Sequence, residues 1–549
     1  MDHEEQEKKT REIAQEFKAK QRRNWLLVLL RYLAKHPKIS SLTVGLLSVF
    51  SFAPYFNFVV ACGCFVVLMH LLLETDGWKE KFKLGYIFGF GYFAAGFAWI
   101  GNAVLVEPDE FGWLYPVILV LAGSFFGLFV AVPAACMGLT RDKFGEWLVF
   151  CGMWVIAEWV RSWFLTGFPW NLLGYSWAFN PELIQNAAIG GVYLTSLLVI
   201  MAYTVWGLLL NVYIESLYAD SVDNIMKRLF KRSYIAVLIM VIVFGGNLLW
   251  GKARIVDMQT GNVTVRIVQP SIPQTMKWTR ELAEDNFQTY INLSSAKSDK
   301  RPDWVIWGET ASPFRLDEDE EHRARAVDFL EDKELLISGM VSYHDNRGKF
   351  LPHNSMVIVD AKGEVRGYYD KSHLVPFGEY IPLRKYLPKF LRPVANAIGE
   401  FGRGNGAKTF AIENYPLLGG AICYEIIFPH EVADRQTRPE VIVNLTNDGW
   451  YGESAGPYQH WVAAMFRAVE EGIPVVRVAN NGISGMINAF GEEKIKMALN
   501  EVGYRDFELE KALAKSTVYS RFGNLPIIIL CLILVAVGVI RRHRRQVVR

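Results

Sequence analysis

Long apolar runs alternate with short polar connections through the first half of the chain. They occupy residues 41–55, 57–74, 86–104, 114–138, 147–167, 188–212 and 234–250, and one more covers 525–540. A helix that crosses a bilayer needs roughly 17–25 mostly apolar residues. Several runs reach that length, while 41–55 and 525–540 are short. A single short run could be a buried core helix, but this series points to a multi-pass α-helical membrane bundle of about eight spans. Between 251 and 524 the pattern changes. Strands are expected at 262–269, 303–307, 334–342, 354–360, 364–370, 416–423, 440–446 and 474–479, with helices at 281–298 and 457–471. Strands alternating with helices predict an α/β domain.

Charge orients the bundle. Basic residues precede the first run (Arg22, Arg23, Arg31, Lys35, Lys38). They recur in alternate connections: Lys79, Lys81 and Lys83, then Arg141 and Lys143, then Lys227, Arg228, Lys231 and Arg232. The C-terminus is basic as well, with Arg541, Arg542, Arg544 and Arg545. The intervening connections carry no basic residues, and the 105–113 one holds Glu107, Asp109 and Glu110. The positive-inside rule then places both ends in the cytoplasm and 251–524 outside it. Four regions follow: a charged cytoplasmic segment 1–38, seven spans within 39–251, an outer α/β domain 252–522, and a last span with a basic tail, 523–549. The apolar stretch 25–30 is too short for a signal peptide and is interrupted by Arg31. The chain is 51% hydrophobic with a net charge of +2, so no basic excess suggests nucleic acid as a partner.

The outer domain holds one of the six cysteines, Cys423. With no partner for a disulfide there, it is either a small buried hydrophobe or a nucleophile. Polar residues just beyond strand C-termini line the site of α/β domains, and Glu309, Cys423 and Asn447 all hold that position. A thiol doing acyl transfer needs a base and an oxyanion stabiliser. His322, His344, His353, His373, His430 and His460 are the histidines available, and none follows an apolar strand as Glu309 does. A carboxylate facing apolar walls has a raised pKa, which suits Glu309 as a base, although a helix-capping role is open to it. Lys371 sits in an aromatic, Pro/Gly-punctuated loop, either as an oxyanion stabiliser or in a salt bridge. No metal-ligand cluster and no nucleotide loop stand out, so no cofactor is expected.

Three motifs carry a resemblance: Trp-Gly-Glu-Thr-Ala around Glu309, Lys-Ser-His-Leu-Val-Pro-Phe-Gly-Glu-Tyr from Lys371, and Gly-Ala-Ile-Cys-Tyr-Glu around Cys423. They resemble the Glu-Lys-Cys triad of the nitrilase superfamily. Together with the spans and with Asn-Asp-Gly-Trp-Tyr-Gly from Asn447, Gly-Pro-Tyr-Gln-His ending at His460 and Leu-Thr-Gly-Phe-Pro-Trp ending at Trp170, they resemble the apolipoprotein N-acyltransferases. That resemblance implies a nitrilase-like αββα sandwich on the bundle. It implies Glu309 as base, Lys371 and a backbone N–H near Tyr424 at the oxyanion, and Cys423 as nucleophile. Glu379 and Glu425 would support the triad, Trp278 and Trp450 would shape an acyl pocket, and Asn447 would lie close by. The reaction implied is ping-pong, from a phospholipid such as phosphatidylethanolamine to the α-amine of a diacylated apolipoprotein. Its place would be the bacterial inner membrane, with the catalytic domain on the periplasmic side. Gly308 stands where the family commonly has proline and is expected to loosen that turn. The 381–395 stretch mixes Leu, Tyr and Phe with Arg and Lys, which suits either an interfacial arm or a core-packed loop. Two rival readings are a membrane-tethered amidase and a transporter or receptor. The latter would place ionisable residues inside the spans, where Glu158 and Arg161 are among the few.

Overall fold

A computed structural model describes residues 32–106, 108–140, 142–218, 224–345, 350–386 and 399–546. All eight apolar runs form helix: α1 (Pro37–Leu47), α2 (Phe58–Glu74), α3 (Trp78–Gly96), α4 (Leu114–Cys136), α5 (Lys143–Arg161), α6 (Ala187–Tyr218), α7 (Asn224–Arg254) and a final helix Leu525–Gln546. Polar caps mark two starts. The Asn57 side chain accepts from Val60 N, and the Asp142 side chain from Gly145 N. The helices are less uniform than hydropathy suggests. Among the described residues, three segments, Leu114–Leu139, Ala187–Ile214 and Tyr234–Arg254, are long and apolar enough to cross a membrane. A fourth qualifies if α3 and the 3₁₀ segment Ala98–Leu105, bent by 43° from it, count as one span. The first run yields only the 11 residues of α1 followed by a 3₁₀ turn, so it is shorter than expected. Bundle helices pack through glycine. A Cβ on Gly89 of α3 would lie 2.8 Å from the Gly127 carbonyl of α4, so only glycine lets these backbones meet so closely.

The domain between α7 and the final helix holds two six-stranded sheets, in the orders β12-β1-β2-β3-β4-β5 and β11-β10-β9-β8-β7-β6. The first contains β1 (Thr260–Gln269), β2 (Trp304–Ile306), β3 (Leu335–Asp345), β4 (Phe350–Asp360), β5 (Val365–Asp370) and β12 (Gly503–Glu510). The second contains β6 (Thr409–Phe410), β7 (Leu418–Ile422), β8 (Val441–Thr446), β9 (Val475–Ala479), β10 (Ser484–Ile487) and β11 (Glu493–Met497). At the centre of each sheet three strands run parallel, β1-β2-β3 and β7-β8-β9. Their near-continuous apolar sequences fit burial on both faces.

The inner faces share one core that includes Ile306, Ile337, Ile358, Ile422, Val443 and Val478. Helices α8 (Ala283–Ser294) and α9 (Glu320–Val327) cover the outside of the first sheet through Phe287, Tyr290 and Ala326. Helix α10 (Ala455–Glu471) covers the second, and the layers make an αββα sandwich as expected. α10 is buried on nearly every side, its polar residues Gln459, His460, Arg467, Glu470 and Glu471 included. One apolar cluster runs from the sheet residues Ile442 and Val475, through Trp461 and Phe466 of α10, to Leu173, Val192 and Phe97 of the bundle.

Candidate active site

The parallel strands deliver the candidate residues from their C-terminal ends. Glu309 follows β2, with its backbone N–H donating to the Thr446 carbonyl of the other sheet at 3.3 Å. The expected loose turn at Gly308 is not found. A Cβ there would meet Asn480 N, Ala479 C and Thr446 O at 3.1–3.3 Å, and the Gly308 carbonyl accepts from Gly339 N at 3.2 Å. Packing from both sheets holds this position without proline. Glu309 also faces polar partners instead of apolar walls. Its Oε1 accepts from Asn354 Nδ2 at 2.7 Å and from Lys371 Nζ at 3.4 Å.

Lys371 directly follows β5, and its own N–H donates to the Asn354 carbonyl at 2.8 Å. Its ammonium, 1% exposed, donates to Glu379 Oε1 at 2.9 Å. Burial alone would lower its pKa. The Glu379 and Glu309 carboxylates and Cys423 outweigh burial and hold it above the ordinary lysine value, so Lys371 stays charged. Glu379 is fixed in turn by Val375 N, which donates to its Oε2 at 2.8 Å.

Cys423 ends β7 at φ +49° and opens the 3₁₀ turn Cys423–Ile427. A non-glycine residue in that region is strained and persists only where its surroundings hold it. Glu425 supplies one restraint. Its buried carboxylate accepts from Ile422 N (2.7 Å), Ser372 N (2.6 Å), His373 N (3.0 Å) and Tyr369 OH (2.8 Å), which ties the Cys423 turn to the loop after Lys371. Burial pushes the Cys423 thiol up to about 12, Glu309 adds to that, and Lys371 opposes it. The resting group is therefore a thiol that needs a base.

The remaining candidates have more varied surroundings. Asn447 caps the turn Asp448–Tyr451 and donates through Nδ2 to Gln274 Oε1 at 2.8 Å, so its contacts are internal. Trp278 is 42% exposed and edges a cleft with Ile272, Tyr290 and Thr310, the last adjacent to Glu309. Trp450 is half-buried, and it is its neighbour Tyr451 that packs on the bundle, 4.6 Å from the Trp99 ring. Tyr424 reaches the bundle too, donating its hydroxyl to the Gly167 carbonyl at 3.0 Å. Of the 381–395 stretch, 387–395 lies outside the described residues, as does 1–31 of the charged N-terminal segment. Within 381–386, Leu383 and Tyr386 are exposed.

Three groups beside these residues were not singled out by the sequence reading, which named His460 only among the available histidines and in a motif. Asn354 orients the Glu309 carboxylate. Lys277 is buried and donates to the Glu309 carbonyl at 2.7 Å, and burial pushes it down to about 8 against the pull of Glu309 and Cys423. His460, Asp448 and Arg477 form a wholly buried group beneath the Cys423 turn. His460 Nε2 lies 3.1 Å from the Cys423 carbonyl, Nδ1 lies 2.9 Å from Asp448 Oδ1, and Arg477 Nη2 lies 2.8 Å from Asp448 Oδ2. The ring therefore engages the Cys423 backbone, which sets aside a Cys-His pair built on this histidine. Once α10 is seen to be buried, this histidine must find its partners inside.

The chain is similar to known proteins over most of its length. Residues 44–205 match the family model of the apolipoprotein N-acyltransferase N-terminal domain, and 264–506 match that of carbon-nitrogen hydrolase. The apolipoprotein N-acyltransferase of Rickettsia typhi is 36% identical over 90% of this chain and 97% of its own. That of Brucella melitensis is 34% identical over 84% of this chain and 86% of its own. An amidase from Nesterenkonia sp. is similar over 49% of this chain and 96% of its own, at 14% identity and a TM-score of 0.36. The relatives match both the bundle and the sandwich across most of their length, so the chain belongs to the apolipoprotein N-acyltransferase family.

Proposed function

We propose that this acyltransferase works through a thioester on Cys423, with Glu309 as the base and Lys371 at the oxyanion. The observation that carries this reading is the buried cluster of Glu309, Lys371 and Cys423, in which the thiol pKa is pushed up to about 12 and a carboxylate stands ready as base. In the first step Glu309 takes the Sγ proton as sulfur attacks an ester carbonyl of a phospholipid. Lys371 and the N–H groups of the first turn of Cys423–Ile427 stabilise the tetrahedral oxyanion. The ester C–O bond then breaks, Glu309 returns the proton to the departing lysophospholipid oxygen, and the acyl group stays on sulfur. In the second step the α-amine of a diacylglyceryl-cysteine attacks the thioester and Glu309 takes its proton. The C–S bond breaks, the thiol is reprotonated, and an amide remains.

In this reading phosphatidylethanolamine is the donor, and Trp278 and Trp450 border the acyl chain. Glu379 and Glu425 hold the triad, while Tyr424 and Asn447 hold the turns beside it. Eight crossings, seven within 39–251 and one within 523–549, place both chain ends and segment 1–38 in the cytoplasm of a bacterium. Domain 252–522 then stands on the periplasmic face of the inner membrane, where both lipid substrates are anchored.

The test is intact-protein mass spectrometry of the detergent-solubilised enzyme after incubation with phosphatidylethanolamine. The wild type should gain the mass of one acyl chain, labile to hydroxylamine, and a diacylated lipopeptide should discharge it. Cys423→Ala should gain nothing, and Glu309→Gln should acylate far more slowly. A wild type that forms no adduct, or a Cys423→Ala that behaves like wild type, refutes the assignment.

A further inference from the structure

We propose that Arg161 is a positioning residue: it holds the 166–170 loop of the membrane half against the Cys423 turn, so that this loop forms one wall of the acyl-transfer site. The inference rests on the thioester reading above.

Arg161 lies at the C-terminus of α5 and is 2% exposed. A basic residue there commonly bonds the last carbonyls of its own helix. Arg161 instead reaches beyond it. Nη1 donates to the carbonyls of Phe168 at 2.6 Å and Trp170 at 2.7 Å. The Arg161 carbonyl accepts from Phe168 N at 2.8 Å, and its guanidinium lies 5.1 Å from the Phe93 ring centre. Glu158, one turn earlier, accepts from Leu173 N at 2.7 Å. These two ionisable groups in the last turn and a half of α5 thus grip both ends of 168–173. Such groups inside a membrane bundle are costly and are kept for a task.

The other side of the loop shows the task. The Gly167 carbonyl accepts from Tyr424 OH at 3.0 Å, and the Thr166 carbonyl lies 3.1 Å from His373 Nε2. Phe168 stacks on the Tyr424 ring at 6.3 Å between centroids. Trp170 donates to Gln459 Oε1 at 2.8 Å, and its ring lies 5.3 Å from that of His460, which touches the Cys423 carbonyl. The residue after Cys423, the second residue after Lys371 and the histidine beneath the turn therefore all rest on this one loop. Its path leaves no freedom at Gly167, where φ is +73° and a Cβ would collide with the Ser162 carbonyl. The bundle in this view supplies part of the catalytic geometry in addition to anchoring it.

The test compares full-length Arg161→Ala and Arg161→Lys with wild type by the rate of Cys423 thioester formation across a range of phosphatidylethanolamine concentrations. Arg161→Ala should lose about 100-fold in the maximal rate, the cost of misplacing a reacting group by about 1 Å, with the KM for the donor little changed. Guanidinium chloride should restore much of that loss where sodium chloride does not, because the free ion can bond both vacated carbonyls. Arg161→Lys, with one ammonium for two carbonyls, should fall between. A wild-type rate in Arg161→Ala, or a loss that neither guanidinium nor lysine relieves, overturns the proposal. If Arg161→Ala yields no folded protein, Arg161→Lys decides: a lowered maximal rate at unchanged KM supports the proposal, and an unchanged rate overturns it. A wild type that forms no thioester refutes the catalytic reading itself and is thereby distinguished.

Discussion

Replacing Glu425 by glutamine tests whether one buried carboxylate keeps the nucleophile turn and the lysine loop in register. Its Oε1 accepts from Ser372 N, Ser372 Oγ and His373 N, and its Oε2 accepts from Ile422 N. Glutamine can keep its oxygen toward Ser372 and His373, but its amide then points a donor at the Ile422 N–H. A buried N–H left without an acceptor costs about 1–3 kcal/mol, and the bonds that survive lose their charge assistance, worth about another 1 kcal/mol. The loss should total about 2–4 kcal/mol. It falls on the two segments whose spacing sets Lys371 relative to Cys423, so a shift of about 1 Å should slow thioester formation on the order of 100-fold. The assay pairs the acyl-enzyme rate with thermal unfolding of the solubilised enzyme. Both should drop in Glu425→Gln and drop further in Glu425→Ala. A Glu425→Gln variant with wild-type melting and wild-type acylation would refute the reasoning.

Lys277 has its folded pKa depressed from 10.5 to about 8, so its charged form is disfavoured in the fold and stability should rise as pH goes from about 8 to 10.5. Denaturation midpoints should show that rise in wild type and lose it in Lys277→Met, which also removes about 3 kcal/mol of charging cost at neutral pH and gives up one hydrogen bond. Asp448 lies between Arg477 and His460. Burial alone would raise its pKa, but these neighbours hold it near 2, below the ordinary 3.8. Its contribution of about 2 kcal/mol is complete above pH 3.8 and lost as pH falls toward 2. Asp448→Asn at neutral pH should cost about 3–5 kcal/mol, because it leaves the buried Arg477 unpaired, and chemical denaturation would show it. Gly89→Leu should lower the melting temperature of the solubilised enzyme without altering isolated-helix content by circular dichroism, since the new side chain would strike the α4 backbone.

The chain displays some of this architecture openly and hides the rest for physical reasons. Strands of mainly apolar sequence, such as Val441–Thr446, are legible because burial on both faces favours that composition. Strands β11 and β12 were missed because they are edge-ward and partly exposed, so Glu493, Lys494 and Lys496 blur any alternation. Hydropathy finds the membrane helices but not their bends. Only coordinates show that α3 turns by 43° after Gly96 or that α1 ends at Leu47. Glu309 and Cys423 could be singled out because each follows a strand, and Lys371 because it sits in an aromatic, Pro/Gly-punctuated loop. Asn354 could not, because it lies within β4 and reaches the site only through strand pairing with Val341 and the lysine loop. The apolar walls expected around Glu309 fail for the same reason. They were judged from its sequence neighbours, while its contacts come from β4 and from the loop after β5.

The sandwich is inserted between helix α7, which ends at Arg254, and the helix beginning at Leu525, and that last helix packs tightly along α5 where Gly145 and Gly538 meet. A body moored by both of its ends cannot swing like one on a single tether. The Cys423 thiol is consequently held at a set place against the bundle.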